Sequence, residues 1–214
     1  MITLYYIPSS AAMAPTAALE EAGAEYELAL VERDGTQAGP EYLAINPFGR
    51  VPSLVDGDLV LWESAAICMY IADKYPDSGL LPPPGTNERA VAMRWLVFLT
   101  NTVQPSLMDC LYPQRLVGEG SPAIEAVRDG NRERLGRWFD HIDGVLANGP
   151  YLLGETFSVA DIYLQMLTRW GRWLPRQAWS LPHLGPHYNR LSERPSVARM
   201  LELHEIAAYP PDGS

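Results

Sequence analysis

Residues 46–72 read NPFGRVPSLVDGDLVLWESAAICMYIA, and this stretch decides the fold. Asp56-Gly57 is a strong turn signal, and the apolar runs on both sides of it predict a β-hairpin. Pro52 cannot donate to a strand ladder, so it marks an edge, a bulge or a special turn just before the hairpin. A bond from any residue to proline is also where a cis peptide persists most readily. We therefore expect an irregular segment around Pro52, immediately before the first strand of the hairpin.

The Glu63-Ser64 pair follows the hairpin directly and precedes a run with the apolar spacing of a helix. A serine at a helix start, with unpaired amides behind it and the positive end of the helix dipole, is a ready site for a carboxylate. A glutamate beside it can hold an ammonium group. The pair predicts a site that grips the α-amino and α-carboxylate groups of an amino acid, although a plain helix cap has the same sequence.

The first third of the chain alternates strand and helix patterns in the order β-α-β-α-β-β-α. This order predicts an α/β domain over residues 1–77, a thioredoxin-like layout with a mixed four-stranded sheet and helices on both faces. A Pro- and Gly-rich linker covers residues 78–87. The remaining residues, 88–214, show helical patterns only and predict an all-α domain.

Three helices in the second half have distinct signatures. Residues 88–116 predict one long helix in which Pro105 is the place for a kink, and residues 191–203 predict another helix. The helix over 158–170 begins with a capping box between Ser158 and Asp161. On its own, a capping box indicates only where a helix starts.

Composition limits the classes of partner. The 214 residues carry a formal net charge of −10, with 47% hydrophobic and 20% charged residues. An acidic surface argues against nucleic acid or an anionic membrane as the main partner. We see no signal peptide or membrane-spanning run and expect a soluble protein of the cytoplasm.

Cysteine and histidine patterns give no metal site. Cys68 and Cys110 stand among apolar neighbours in predicted helices, and we interpret them as buried free thiols. His183 and His187 are four residues apart, but prolines at 182 and 186 would interrupt the helix that this spacing needs. We therefore expect no metal.

Several motifs, in order, resemble those of the cytosolic glutathione transferases. They cover most of the chain and are residues 5–11 (YYIPSSA), 13–15 (MAP), 46–52 (NPFGRVP), 61–67 (LWESAAI) and 157–161 (FSVAD). Residues 5–11 resemble the serine-using classes, whereas 13–15 resemble the bacterial cysteine-using class. The position of that class's cysteine falls on Ala11, and its helix-4 asparagine and histidine fall on Val97 and Gln104. The chain is therefore not a standard member of the cysteine class.

The resemblance implies roles for residues of a glutathione site. Glu63 and Ser64 would hold the γ-glutamyl end, and Val51, which precedes Pro52, would pair with the cysteinyl backbone. The glycyl carboxylate would be within reach of Arg50 and Gln37.

A glutathione site also needs a group that favours thiolate over thiol, since a free thiol has a pKa of about 8.5. Ser10 falls on the serine of the serine-using classes and is the first choice for this hydroxyl. Ser9 is the second choice and Tyr6 the third. A simple helix cap remains the alternative reading for Ser10.

The implied activity is conjugation of the glutathione thiolate to an electrophilic apolar cosubstrate, as in detoxification, by a homodimer. A pocket for that cosubstrate would draw on Met13, Met108, Tyr112 and Trp173, although such residues also build cores. Two alternatives stay open. One is another glutathione-dependent enzyme on this fold, such as an isomerase, an ether-cleaving enzyme or a peroxidase, and the other is a non-catalytic glutathione-binding or protein-interaction module.

Overall fold

The computed structural model describes residues 1–32 and 39–207 of the chain. Its strands are β1 Ile2–Tyr6, β2 Tyr26–Leu30, β3 Ser53–Asp56 and β4 Leu59–Trp62. Its helices are α1 Met13–Glu21, α2 Pro40–Leu43, α3 Ser64–Lys74, α4 Asn87–Phe98, α5 Gln104–Leu111, α6 Gln114–Val117, α7 Ile124–Leu146, α8 Val159–Trp170, α9 Leu184–Ser192 and α10 Pro195–Leu203.

Contacts divide the chain into two compact units. The first unit is Met1–Pro83 together with the chain from Ser192 onward, and the second is Pro84–Leu191. The last helix, α10, is thus grouped with the sheet, whereas the sequence pattern placed it with residues 88–214. The domain boundaries at 77 and 88 stay a prediction.

The sheet of the first unit has the order β2-β1-β3-β4. β1 runs parallel to β2 and antiparallel to β3, and β3 pairs antiparallel with β4 through the predicted hairpin. Leu4 and Leu54 are fully buried on the face where α3 packs against β3 and β4. On the opposite face Tyr5 packs against Tyr42 of α2, with ring centroids 5.7 Å apart. The predicted α/β fold with a mixed sheet and helices on both faces is confirmed.

A polar cluster at the C-terminal end of α1 connects α10 to α1. The guanidinium of Arg194 donates from Nε to Glu21 Oε2 at 2.7 Å, and the hydroxyl of Ser196 donates to the same oxygen at 2.5 Å. Burial alone would raise the pKa of Glu21, but these hydrogen bonds and the nearby positive charge lower it below its ordinary value. The carboxylate therefore stabilises this junction in its charged form.

The second unit is built around α8, whose twelve residues are all buried. Its N-terminus has the predicted capping box between Ser158 and Asp161. The Asp161 carboxylate also accepts the backbone N–H of Leu152 at 2.8 Å and lies 3.1 Å from Nε2 of His187. A fully helical second half is confirmed within the part of it that the structure describes, apart from isolated bridges at 151–156.

The prediction of one long helix over 88–116 holds for residues 88–111, where α4, a π-helical segment and α5 follow one another without a break, and is wrong at Tyr112, where the helix ends before α6. α4 gives way at Leu99–Val103 to a π-helical segment, after which α5 begins at Gln104 with Pro105 in its first turn. Proline has no N–H to donate, so a change of hydrogen-bond register just before it relieves the missing bond. A tyrosine outside helical geometry, Tyr112, then separates α5 from α6.

The prediction of one helix over 191–203 was also wrong. α9 ends at Ser192, and Arg194 is extended at φ −65° and ψ 131° before Pro195 begins α10. A residue before proline is driven out of helical geometry, so the chain turns at this point. α9 itself tolerates Pro186 because it lies in the first turn, where the missing N–H costs nothing.

Candidate functional site

The start of α3 has the geometry of an anion site. The first intrahelical bond runs from Ile67 N–H to the carbonyl of Glu63 at 3.0 Å, so the amides of Ser64, Ala65 and Ala66 have no acceptor within the helix. Glu63 precedes them at φ 75° and ψ 111°. A positive φ is uncommon for a residue other than glycine and costs about 1–3 kcal/mol. This strained backbone places an exposed carboxylate beside the bare amides.

Ser64 ties this helix start to the turn that precedes α1. Its side chain is buried, and its hydroxyl donates to the carbonyl of Ala11. The predicted carboxylate grip and the predicted thiolate site are therefore joined by one hydrogen bond within the first unit.

Ser10 lies in the turn between β1 and α1, where the sequence placed it. Its N–H donates to Ile7 at 3.2 Å, its carbonyl accepts from Met13 N–H at 3.1 Å, and its Oγ accepts from Ala12 N–H at 3.2 Å. In residues 1–32 and 39–207, no acceptor takes the hydroxyl proton of Ser10. That proton can be directed to a sulfur atom close to the positive end of α1.

The other two candidate hydroxyls lie close by. Ser9 precedes Ser10 at φ 59°, a left-handed conformation. Tyr6 ends β1, and its ring contacts the imidazole of His204 edge-on, with centroids 5.0 Å apart. The turn from β1 to α1 thus carries Ser9 and Ser10, and Tyr6 lies at the end of the strand that precedes it.

The Val51–Pro52 peptide bond is cis, as the sequence led us to expect. The ladder of β3 begins at Ser53, so the N–H and C=O of Val51 lie outside it. These groups can pair with an extended peptide as an added strand would.

A buried polar cluster under this turn was missed by the sequence reading. The hydroxyl of Tyr42 and the side-chain amide of Asn46 both donate to the carbonyl of Arg50, each at 2.7 Å. Both side chains also contact Ser53 Oγ, at 3.0 and 3.3 Å. Burial raises the pKa of Tyr42, which keeps its hydroxyl a neutral donor. In the sequence, the only signal for this role was a tyrosine and an asparagine in or just after the short second helix.

The two residues predicted to bind the glycyl carboxylate are Arg50 and Gln37. Arg50 is exposed beside Val51. Gln37 lies outside the described residues.

The four predicted pocket residues fall in both units. Met13 is fully buried in the first unit. In the second unit, Met108 is half-buried, and Tyr112 and Trp173 are exposed, each with an arginine over its ring: Arg115 at 4.2 Å and Arg172 at 4.9 Å.

Both cysteines are free and buried, which confirms their interpretation as buried thiols. Burial raises the pKa of both thiols, so neither is a poised nucleophile. Among the described residues, no group of three or more His, Cys, Asp or Glu side chains could hold a metal ion.

Two family models match the chain. The glutathione S-transferase N-terminal domain matches residues 1–73, and the C-terminal domain of the same family matches residues 105–195. The chain belongs to the glutathione S-transferase family. The first match contains Ser10, Val51, Glu63 and Ser64, and the second contains Met108, Tyr112 and Trp173.

Relatives of this enzyme come from plants and bacteria. Glutathione S-transferase 3 of Zea mays is 33% identical over 217 residues, which cover 98% of this chain and 95% of that protein. GstA of Escherichia coli O157:H7 is 28% identical over 91% of this chain and 94% of its own length. A Sulfitobacter glutathione transferase homologue, solved with bound glutathione, has a TM-score of 0.86 and 30% identity over 95% of this chain and 98% of that one.

Within residues 1–32 and 39–207, no helix combines the length and apolar character needed to cross a bilayer.

Proposed function

We propose that this glutathione S-transferase conjugates the thiolate of glutathione to an electrophilic carbon of a small apolar substrate. The observation that carries this is the link between Ser64 and Ala11, which joins the anion-binding start of α3 to the turn that holds Ser10. One bound peptide can then reach both ends of the site. The Sulfitobacter homologue with bound glutathione supports this choice of ligand.

Glutathione would be held along its length. Glu63 takes the α-ammonium group, and the amides of the first turn of α3, that of Ser64 among them, take the α-carboxylate. Val51 pairs with the cysteinyl backbone through its free N–H and C=O. We keep Arg50 and Gln37 as partners of the glycyl carboxylate.

Ser10 would stabilise the sulfur once the peptide is docked. The thiol releases its proton to solvent, and the Ser10 hydroxyl donates a hydrogen bond to the resulting thiolate. The sulfur then forms a bond to the electrophilic carbon, and a leaving group such as halide departs with its bonding electron pair. Ser9 in the same turn and Tyr6 at the end of β1 are the alternative donors.

The second substrate would contact Met108, Tyr112 and Trp173. Met13 is fully buried, so it can contact a ligand only if its neighbours shift. We also propose that the protein is a homodimer, works in the cytoplasm and serves detoxification. The two free thiols fit a reducing compartment.

Thermal unfolding with glutathione tests binding first. At about a hundred times its dissociation constant, glutathione should add about 2.7 kcal/mol of stability. If millimolar glutathione did not raise the melting temperature, the proposal would be wrong. Turnover with aromatic halides, peroxides and maleyl compounds then separates a transferase from a peroxidase, an isomerase or a binding module.

Ser10→Ala tests the thiolate step. We expect kcat to fall roughly 10- to 100-fold, less than for a dry oxyanion hole because Ser10 is only half-buried, with glutathione affinity nearly unchanged. Ultraviolet absorbance of the bound thiolate should show a raised thiol pKa. A silent Ser10→Ala beside an inactive Ser9→Ala or Tyr6→Phe would move the role to that hydroxyl.

A further inference from the structure

His204 is a fully buried imidazole at the C-terminal end of α10, far in sequence from any residue assigned to the site. Its Nε2 lies 3.0 Å from Oγ1 of Thr16 in the first turn of α1. Its ring also meets the ring of Tyr6 edge-on. Burial of a polar ring costs free energy unless the ring is hydrogen-bonded. The bond to Thr16 therefore offsets part of the cost of burying this imidazole.

The direction of each hydrogen bond is fixed by the donors available. The Thr16 hydroxyl has one proton, which it donates to the carbonyl of Ala12 at 2.8 Å. Towards His204 its oxygen can therefore only accept, so the imidazole carries a proton on Nε2. Ala12 in turn donates its N–H to Ser10 Oγ at 3.2 Å. A continuous chain of hydrogen bonds runs from His204 through Thr16 and Ala12 to Ser10.

We propose that His204 is a positioning residue that orients the Ser10 hydroxyl through Thr16 and Ala12. The inference rests on the proposed function, because it gives Ser10 the role of thiolate donor. The Ala12 carbonyl accepts the backbone N–H of Thr16 at 3.0 Å, and the Thr16 hydroxyl, oriented by His204, adds a second hydrogen bond to it at 2.8 Å. The N–H of Ala12 occupies the lone pair of Ser10 that faces it. The Ser10 proton is left to point away from Ala12, towards a sulfur.

Attachment of α10 to α1 does not require this histidine. Arg194 and Ser196 already bind Glu21 at the other end of the helix pair. A leucine at 204 would fill a similar buried space but would lose the hydrogen bond to Thr16 Oγ1. Unlike leucine, the imidazole supplies an N–H donor to Thr16 Oγ1.

Two matched pairs of variants test the proposal. His204→Gln can place an amide N–H near the position of Nε2, whereas His204→Leu cannot donate. Thr16→Ser keeps the hydroxyl, whereas Thr16→Val keeps the shape without it. The measurements are kcat, KM for glutathione and the thiol pKa of bound glutathione from thiolate absorbance.

We expect His204→Leu and Thr16→Val to lower kcat roughly 3- to 10-fold, the effect of one hydrogen bond, with KM for glutathione nearly unchanged. The thiol pKa should rise by about 0.5–1. His204→Gln and Thr16→Ser should restore both values. In a Ser10→Ala background, Thr16→Val should have no further effect on kcat or on the thiol pKa.

The outcomes separate the two proposals. If Ser10→Ala raises the thiol pKa but Thr16→Val does not, the role of His204 is refuted and the proposed function stands. If Thr16→Val lowers kcat equally with and without Ser10, the pair is merely structural and the inference is wrong. If Ser10→Ala itself changes neither kcat nor the thiol pKa, the thiolate role of Ser10 falls, and the inference falls with it. The Thr16 pair decides the matter even if His204→Leu does not fold.

Discussion

Glu63 shows how a single residue can carry a backbone cost at a binding site. Its φ of 75° is a conformation that glycine adopts freely and glutamate does not. A glycine here would be easier to accommodate but would leave no carboxylate beside the amides of α3. The strain is therefore consistent with selection for a side chain at this position rather than for stability.

Two substitutions of Glu63 separate affinity from strain. Glu63→Gln removes the charge and should weaken glutathione binding by about 1–2 kcal/mol, below the 2–5 of a buried charge pair because the side chain is exposed. Glu63→Gly should weaken binding as much, yet raise the free energy of unfolding by about 0.5–1 kcal/mol. Calorimetry and denaturant unfolding measure the two effects.

The control is Asp58→Asn, which removes an exposed acid from the same hairpin region. If Asp58→Asn and Glu63→Gln lost affinity for glutathione equally, binding would depend on the general surface charge and not on Glu63 in particular. A Glu63→Gly variant that is less stable than the parent would show that the positive φ is not a strain.

α1 and α10 end in the same motif with different residues. After α1, Gly23 N–H bonds to Glu20 and Ala24 N–H to Leu19, at 3.2 and 3.1 Å. After α10, the corresponding bonds run from Glu205 to Glu202 and from Ile206 to Leu201, at 2.9 and 3.0 Å. Both are Schellman motifs with a left-handed residue just past the helix.

This pair gives opposite predictions for stability. Gly23→Ala should cost about 1 kcal/mol, because alanine resists φ 60° although nothing lies within 4 Å of its Cβ. Glu205→Gly should gain about 0.5–1 kcal/mol, since relief at φ 52° exceeds the added entropy of the unfolded chain. Urea unfolding of each variant checks the signs. Destabilisation by Glu205→Gly would mean that its side chain contributes more than its backbone costs.

The junction of α1 and α10 has a pH dependence set by Glu21. Its pKa is lowered in the folded state, so its contribution to stability is fully present above the unfolded pKa of about 4.3 and is lost as the pH falls through the lower folded pKa. Glu21→Gln should therefore cost about 1–2 kcal/mol at neutral pH and progressively less in acid. Urea unfolding across this pH range measures it. The exposed Glu25→Gln serves as the control, and a Glu21→Gln deficit that stays constant down to pH 3 would contradict the assignment.

The elements that could be predicted from sequence are those fixed by neighbours in the chain. The Asp56-Gly57 hairpin, the capping box of α8 and the start of α3 each follow from a few consecutive residues. α9 was missed because its N-terminus is capped from elsewhere: Asp143 of α7 accepts the N–H groups of His183 and Leu184, both at 2.8 Å. No local window contains that carboxylate, so the prolines were taken as helix breakers.

The candidate site divides along the same line. Ser10, Val51 and Glu63 could be predicted from the sequence because each stands in a short motif. Their supporting residues make hydrogen bonds outside those motifs. Asn46 donates to the Arg50 carbonyl, and His204 contacts Thr16, which is distant in sequence. Hydrogen bonds between distant residues leave no periodicity or spacing in the sequence, so only the structure could find them.

At the scale of the whole molecule, the edge of the sheet exposes apolar side chains. β4 is an edge strand, and Val60 and Trp62, two residues apart, lie on one face of it with 44% and 38% exposure. Phe48, 65% exposed, packs edge-on against Trp62 with centroids 5.2 Å apart. An exposed aromatic cluster beside an unpaired strand edge is a liability for a monomer. The proposed homodimer would cover it.

Phe48→Ser tests whether this cluster lies in the dimer interface. Burial of one phenylalanine contributes about 1.5–3 kcal/mol, and a two-fold axis makes the loss count twice, so dissociation should be favoured by about 3–6 kcal/mol or roughly 100- to 10,000-fold. Analytical ultracentrifugation over a dilution series measures the dissociation constant. Leu30→Ser is the matched control, because Leu30 is 55% exposed on β2, the opposite edge of the same sheet. The control should leave the dimer unchanged, since within residues 1–32 and 39–207 no exposed aromatic cluster lies on that edge. If Phe48→Ser and the parent dissociate at the same concentration, the cluster around Trp62 lies outside the interface and the two copies meet elsewhere.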